Sequence, residues 1–134
     1  GAGTRNRPYL DAALLERNEQ WPRMDGRYVF KMATTKMAEV TQQILQRNGV
    51  RPGDLSLVLM HQANRRINEY VQKLLGLSDD QVIHNIQKYG NTTAATIPLL
   101  WDEASRSGRI RPGDLVLTVA FGAGMSWGAN LLRA

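Results

Sequence analysis

"RPGDLSLVLMHQAN", Arg51 to Asn64, and "RPGDLVLTVAFGAG", Arg111 to Gly124, are the two stretches on which the reading of this chain turns. In both, a Pro-Gly pair breaks any preceding helix and turns the chain. In both, an apolar run follows, "LSLVLM" and then "LVLTVAF", whose aliphatic and β-branched residues suit a buried strand. The runs end differently, the first in "HQAN" and the second in a glycine-rich turn. Two like turns thus launch two buried strands, and the residues just beyond the strand ends are where the copies diverge.

Working outward, Phe30, Ala33, Met37, Val40 and Ile44 recur at helical spacing with Lys and Gln on the opposite side. The pattern predicts an amphipathic helix from Val29 to a stop at Asn48-Gly49. A second helix is expected from about Asn64 to Leu75, with Ile67, Val71, Leu74 and Leu75 inward and Gly76 as its terminator. "SDDQ", Ser78 to Gln81, fits a capping box, and "VIHNI" after it reads as a short strand. A third helix is expected from near Thr96 to Arg106, because Pro98 is tolerated only in a first turn. "MSWGANLL" after the glycine turn reads as a final strand. Residues 1–26, rich in Gly, Arg, Asn and Pro, read as an irregular lead-in with one short apolar piece from Tyr9 to Leu15, and residues 27–134 as one domain. Apolar strands with helices between them imply an α/β fold, a layered mixed sheet covered by helices.

The 134 residues suffice for one domain, and 43% hydrophobic with 22% charged residues is ordinary for a globular chain. No apolar stretch approaches the roughly 18 residues of a membrane span, and no basic-then-apolar leader is visible, so no membrane partner and a cytoplasmic location are expected. With no cysteine the chain has no disulfide, no thiolate ligand and no cysteine nucleophile of its own, and two histidines, His61 and His84, make no metal site. Seventeen Lys and Arg against twelve Asp and Glu give a formal charge of +5, which favours an acidic partner. Trp21, Trp101 and Trp127 are scattered rather than interleaved with basic residues, which argues against nucleic acid.

In α/β sheets, chemistry gathers in the loops past the strand ends. His61 and Asn64 stand there, either as caps of the following helix or as side chains turned to a ligand. Asn91 in "YGNTTAA" is read either as a turn residue or as an amide that donates to an oxyanion. The three glycines of "FGAGMSWG" serve either a plain turn or a backbone that a ligand approaches closely.

Taken together, "VFKMA" (29–33), "HQANRRI" (61–67), "GNTTAATIP" (90–98), "DEA" (102–104), "GRIRPGDLVL" (108–117) and "AFGAGMSWGANLLR" (120–133) resemble the C-terminal half of the β-ketoacyl-acyl carrier protein synthase III family. These are condensing enzymes of thiolase-like fold, and the resemblance runs from about Arg27 to the last residue. It implies a Cys-His-Asn site in which the cysteine takes an acyl group from acyl-CoA. The His and Asn then promote decarboxylation of malonyl-acyl carrier protein and the Claisen condensation of fatty-acid synthesis. His61 and Asn91 match the family's His and Asn, and Ala123 matches the backbone donor of a second oxyanion hole, flanked by Gly122 and Gly124. Asn64 matches a residue of the pantetheine tunnel, with Phe30 near it. Lys31, Arg66 and Lys73 match basic positions that dock the acidic carrier protein or its phosphopantetheine, or else lie on a solvated helix face. The resemblance implies acyl-CoA and malonyl-acyl carrier protein as substrates, no permanently bound cofactor, and a homodimer. The cysteine-bearing N-terminal half is expected as a partner, without which the chain is inactive and one sheet edge and an apolar face are uncovered. An acyltransferase of secondary metabolism and a non-catalytic module that binds acyl carrier protein are the alternatives.

Overall fold

The computed structural model describes residues 10–21 and 24–134. Its elements are α1 (Ala12–Glu16), α2 (Gly26–Arg47), β1 (Leu57–Met60), α3 (Arg65–Leu75), α4 (Ile86–Tyr89), α5 (Thr96–Arg106), β2 (Leu115–Gly122) and β3 (Ser126–Arg133). The sheet order is β1-β2-β3, with β1 parallel to β2 and β2 antiparallel to β3. Helices α2 and α3 cover one face, where Val58, Met60, Leu117, Val119 and Phe121 meet Ala33, Met37, Leu45 and Val71. Helix α5 covers the other, where Leu57, Leu59 and Val116 meet Leu100 and Ala104. The fold is therefore the mixed, helix-covered sheet that the alternating pattern implies. No helix among the described residues is long and apolar enough to cross a membrane.

The repeated motif folds the same way twice. The Arg51 N–H donates to Asp54 Oδ2 at 2.9 Å and the Asp54 N–H returns to the Arg51 carbonyl at 2.9 Å. The corresponding distances for Arg111 and Asp114 are 2.7 and 3.0 Å. The two turns also touch, since the Ser56 hydroxyl donates to Asp114 Oδ1 at 3.0 Å. The strands that follow are out of step by one residue, however. Leu57 pairs with Val116 and Val58 with Leu117, so the third residue past the first motif's Asp faces α5 while its counterpart faces α2. Ser56 absorbs the slip, and a one-residue slip exchanges the faces of a strand.

Several boundaries move from the sequence reading, each for a local reason. Helix α2 starts at Gly26 because the Asp25 carboxylate caps it, accepting the Tyr28 N–H at 3.1 Å. Its buried stripe centres on Ala33, Thr34, Met37, Ala38, Thr41 and Leu45, leaving Phe30, Val40 and Ile44 on the flanks. In α3 the inward residues are Ile67, Asn68, Val71 and Leu75, and Leu74 is turned out, 49% exposed. "VIHNI" is no strand: Val82 alone bridges to Val58, and Ile86 already opens α4. The short apolar piece near the start holds α1, capped by Asp11 and anchored by the buried Leu14, while Tyr9 lies outside the described residues.

Candidate functional site

Because β1 and β2 run parallel, both end at the same edge of the sheet. The His61 N–H extends the ladder by one bond, donating to the Val119 carbonyl at 2.9 Å. A cavity of about 830 Å³ opens at that edge. His61 and Asn64, Asn91, and the Gly122–Gly124 turn all line it, three stretches far apart in the chain. Met24 and Asp25, just before α2, and Tyr28 in its first turn close one side.

The His61 ring is half-buried, and its Nδ1 lies 2.6 Å from the hydroxyl oxygen of Thr96, the first residue of α5. Thr96 is buried and its oxygen also lies 3.1 Å from the Thr93 carbonyl. One hydroxyl hydrogen cannot serve both, so two proton arrangements satisfy the geometry. When the hydroxyl donates to Thr93, the Nδ1–H donates to Thr96 and Nε2 carries a lone pair. When it donates to Nδ1, Nε2 carries the hydrogen and is a donor. Burial pushes the imidazole below its ordinary pKa of 6.5, favouring the neutral ring that either arrangement requires.

Asn64 does cap α3, its Oδ1 accepting the Arg66 N–H at 2.9 Å, which leaves its N–H2 group as the end available at the cavity. His61 caps nothing. Instead the buried Asn68 donates to the His61 carbonyl at 3.2 Å from one turn along α3 and lines the cavity as well. Asn91 is held in a turn: its Oδ1 accepts the Thr93 N–H at 2.9 Å, so its N–H2 remains to donate. The turn depends on Gly90 at φ +67°, ψ −157°, a region that residues with a Cβ scarcely enter. In the second turn Gly124 has φ +146°, and a Cβ there would lie 2.6 Å from Ser126 Oγ.

Phe30 is not among the lining residues; it packs edge-on against Tyr70 of α3 with ring centroids 5.8 Å apart, beside Val29 and Ala33, which do line the cavity. Lys31 on α2 and Arg66 and Lys73 on α3 are exposed and form no ion pair among the described residues, whereas the neighbouring Arg65 is neutralised by Glu69 at 2.8 Å. Thr96, Asn68 and Asp25 were missed as site residues in the sequence reading. Thr96 carried only a helix-start signal, and a polar residue at an inward helical position, Asn68, was the one available hint of a buried polar contact. Among the described residues no group of three His, Cys, Asp or Glu side chains could hold a metal ion.

Residues 45–134 match the family model described as 3-oxoacyl-[acyl-carrier-protein] synthase III C terminal. The chain belongs to that family. It is 45% identical over 124 residues to the β-ketoacyl-[acyl-carrier-protein] synthase III of Aquifex aeolicus, covering 92% of this chain and 40% of that protein. It is 47% identical over 110 residues to the same-named protein of Coxiella burnetii, covering 82% of this chain and 34% of that one. The crystal structure of the Aquifex aeolicus 3-oxoacyl-[acyl-carrier-protein] synthase III superposes with a TM-score of 0.84 at 46% identity, over 87% of this chain and 38% of that chain. The thiolase-like fold is thus shared, and the chain spans about two-fifths or less of the length of these relatives.

Proposed function

We propose that residues 27–134 form the C-terminal catalytic half of a 3-oxoacyl-acyl carrier protein synthase III, an acyltransferase of cytoplasmic fatty-acid synthesis. The observation that carries this reading is the convergence of His61, Asn64, Asn91 and the 122–124 turn on one cavity. The remaining part of the enzyme supplies the cysteine that takes the acyl group from acyl-CoA. Malonyl-acyl carrier protein then threads its phosphopantetheine arm past Asn64, with Phe30 behind the cavity wall, and Lys31, Arg66 and Lys73 meet the acidic carrier protein.

The chemistry follows from two neutral donors. When the bond between the malonyl α-carbon and its carboxylate breaks, CO₂ leaves and the electron pair passes to the thioester oxygen as an enolate. The His61 Nε2–H, with Nδ1 accepting from Thr96, and the Asn91 N–H2 group donate to that oxygen. Such preorganised donors in a water-poor pocket stabilise the charge as it forms. The α-carbon then attacks the cysteine-bound acyl carbonyl, whose oxygen is received by the Ala123 backbone N–H, and the cysteine leaves as thiolate. No resident cofactor is required. In this reading the enzyme works as a homodimer.

The test is the protein that joins this chain to its cysteine-bearing half, carrying His61→Ala or Asn91→Ala. Each variant should lower malonyl-thioester decarboxylation on the order of a hundredfold to a thousandfold. Acyl transfer to the cysteine should persist. Unchanged decarboxylation in both variants sinks the catalytic reading and leaves a carrier-protein-binding module.

A further inference from the structure

Asn91 needs a fixed position, yet the segment that delivers it is intrinsically weak. Helix α4 is four residues long, far below the length at which a helix is stable alone, and none of its residues is fully buried. What anchors it is a convergence of side chains on Glu103 of α5. Lys88 Nζ and the Tyr89 hydroxyl, the last two residues of α4, each donate to Glu103 Oε1 at 2.7 Å. Asn85 Nδ2, at the N-terminal boundary of α4, donates to Glu103 Oε2 at 2.9 Å. Asn85 also ties this clamp to the other half of the site: its backbone N–H donates to Oε1 of Gln62 at 3.3 Å, and the fully buried Gln62 donates onward to the Met60 carbonyl at 2.8 Å. Gln62 is the residue after His61.

The result is a frame built on one helix. At its first turn α5 holds the His61 ring through Thr96, and two turns later it holds the delivery segment of Asn91 through Glu103. We propose that Glu103 is a positioning residue that sets Asn91 relative to His61 by clamping both ends of α4. The inference rests on the catalytic reading above. A carboxylate suits the position, since it accepts on both oxygens and so takes all three donors at once while countering the Lys88 charge. An amide removes the charge that holds Lys88 and can satisfy the remaining partners only if Asn85 turns its own side-chain amide over. The three hydrogen bonds hold the Glu103 carboxyl down to about 2, so the clamp stays charged throughout the working range.

The test uses the protein joined to its cysteine-bearing half and compares Glu103→Gln, Asn91→Ala and the double variant. Misplacing a catalytic group by about an ångström can cost on the order of a hundredfold, so Glu103→Gln should slow malonyl-thioester decarboxylation roughly tenfold to a hundredfold while acyl transfer to the cysteine stays within about twofold. In the Asn91→Ala background Glu103→Gln should cost nothing further, because a residue that acts through Asn91 has nothing left to position. Lys88→Met with Tyr89→Phe releases the clamp from the other side and should reproduce the effect without touching Glu103. An additive loss in the double variant, or an equal loss of acyl transfer, overturns the inference. Amide hydrogen exchange separates it from the reading it rests on: residues 86–93 should exchange faster in Glu103→Gln whether or not Asn91 proves catalytic, and unchanged exchange there also overturns it.

Discussion

Thr96→Val is the perturbation that bears most directly on how His61 works, because it removes one oxygen from a buried site and leaves the shape nearly unchanged. In the native protein that oxygen is 2.6 Å from His61 Nδ1 and 3.1 Å from the Thr93 carbonyl. Valine leaves both without this partner. A neutral hydrogen bond contributes about 1 kcal/mol net, and roughly 1.4 kcal/mol is tenfold in rate. The structure therefore predicts a fall in malonyl-thioester decarboxylation of roughly fivefold to tenfold, well short of the loss from His61→Ala. The fall should lie in kcat rather than KM, since Thr96 is shielded from the cavity, and Thr96→Ser should restore it. Nitrogen-15 NMR of the joined protein gives an independent readout, the His61 signals being identified by their loss in His61→Ala. The native ring should carry its hydrogen on Nε2, and the Val variant should show a mixture of tautomers. A Val variant with native rate and a native tautomer would refute the assignment of Thr96 as the group that orients the imidazole.

Gly124→Ala should destabilise the protein by about 1–3 kcal/mol in thermal unfolding, because the alanine inherits φ +146° and a Cβ 2.6 Å from Ser126 Oγ. Asn64→Ala removes the α3 cap and should cost about 1 kcal/mol of stability, and raise KM for the malonyl substrate besides; Asn64→Asp, measured alongside, should recover the stability but not the KM. Replacing Lys31, Arg66 and Lys73 together by Gln should weaken carrier-protein binding and reduce its salt dependence, as read by titration at two ionic strengths, while a short malonyl-pantetheine thioester, which lacks the protein surface, is turned over as before. Acid unfolding should proceed in two windows. His61 and His84 are both lowered from 6.5 by burial, so the unfolded chain takes up protons first and stability declines as pH falls below about 6.5; Glu103 is lowered from 4.5 to about 2, so its contribution is complete above 4.5 and lost between there and about 2. Glu103→Gln should flatten the second window of a pH series of unfolding curves and leave the first intact.

Periodicity and turn chemistry made the three long helices and three strands legible, because these elements bury one face or both and the pattern of burial is written in residue type. The site was legible at its strand ends, where His61 and the Gly122–Gly124 turn interrupt apolar runs. What escaped was decided by contacts between distant residues. Ser56 looks like any strand residue, and only its bond to Asp114 and the pairing of Leu57 with Val116 reveal the slip. "VIHNI" has the apolar spacing of a strand, but its Asn85 spends its backbone N–H on Gln62 and its side chain on Glu103, so the ladder to Val58 ends after one bridge. Gln62 is a polar residue that a pattern assigns to the surface, and it is buried because it finds partners on both sides of His61, the Met60 carbonyl and the Asn85 N–H.

The repeated turn motif and the unrepeated polar network have complementary tasks. Two equal turns fix only that β1 and β2 run parallel and finish at one edge, which brings His61 and the glycine turn to a common cavity to within a residue or so. Catalysis by paired donors needs finer placement than strand pairing provides, since each donor must reach the same oxygen. That refinement comes from α5, which approaches the sheet from the face opposite α2 and α3 and touches the site only through side chains: Thr96 to His61, and Glu103 to the segment that carries Asn91. The slip at Ser56 is part of the same arrangement. It turns Leu57 and Leu59 toward α5, so that the strand leading to His61 packs on the helix that orients its ring, and the backbone and side chain of the same histidine are referred to one rigid body.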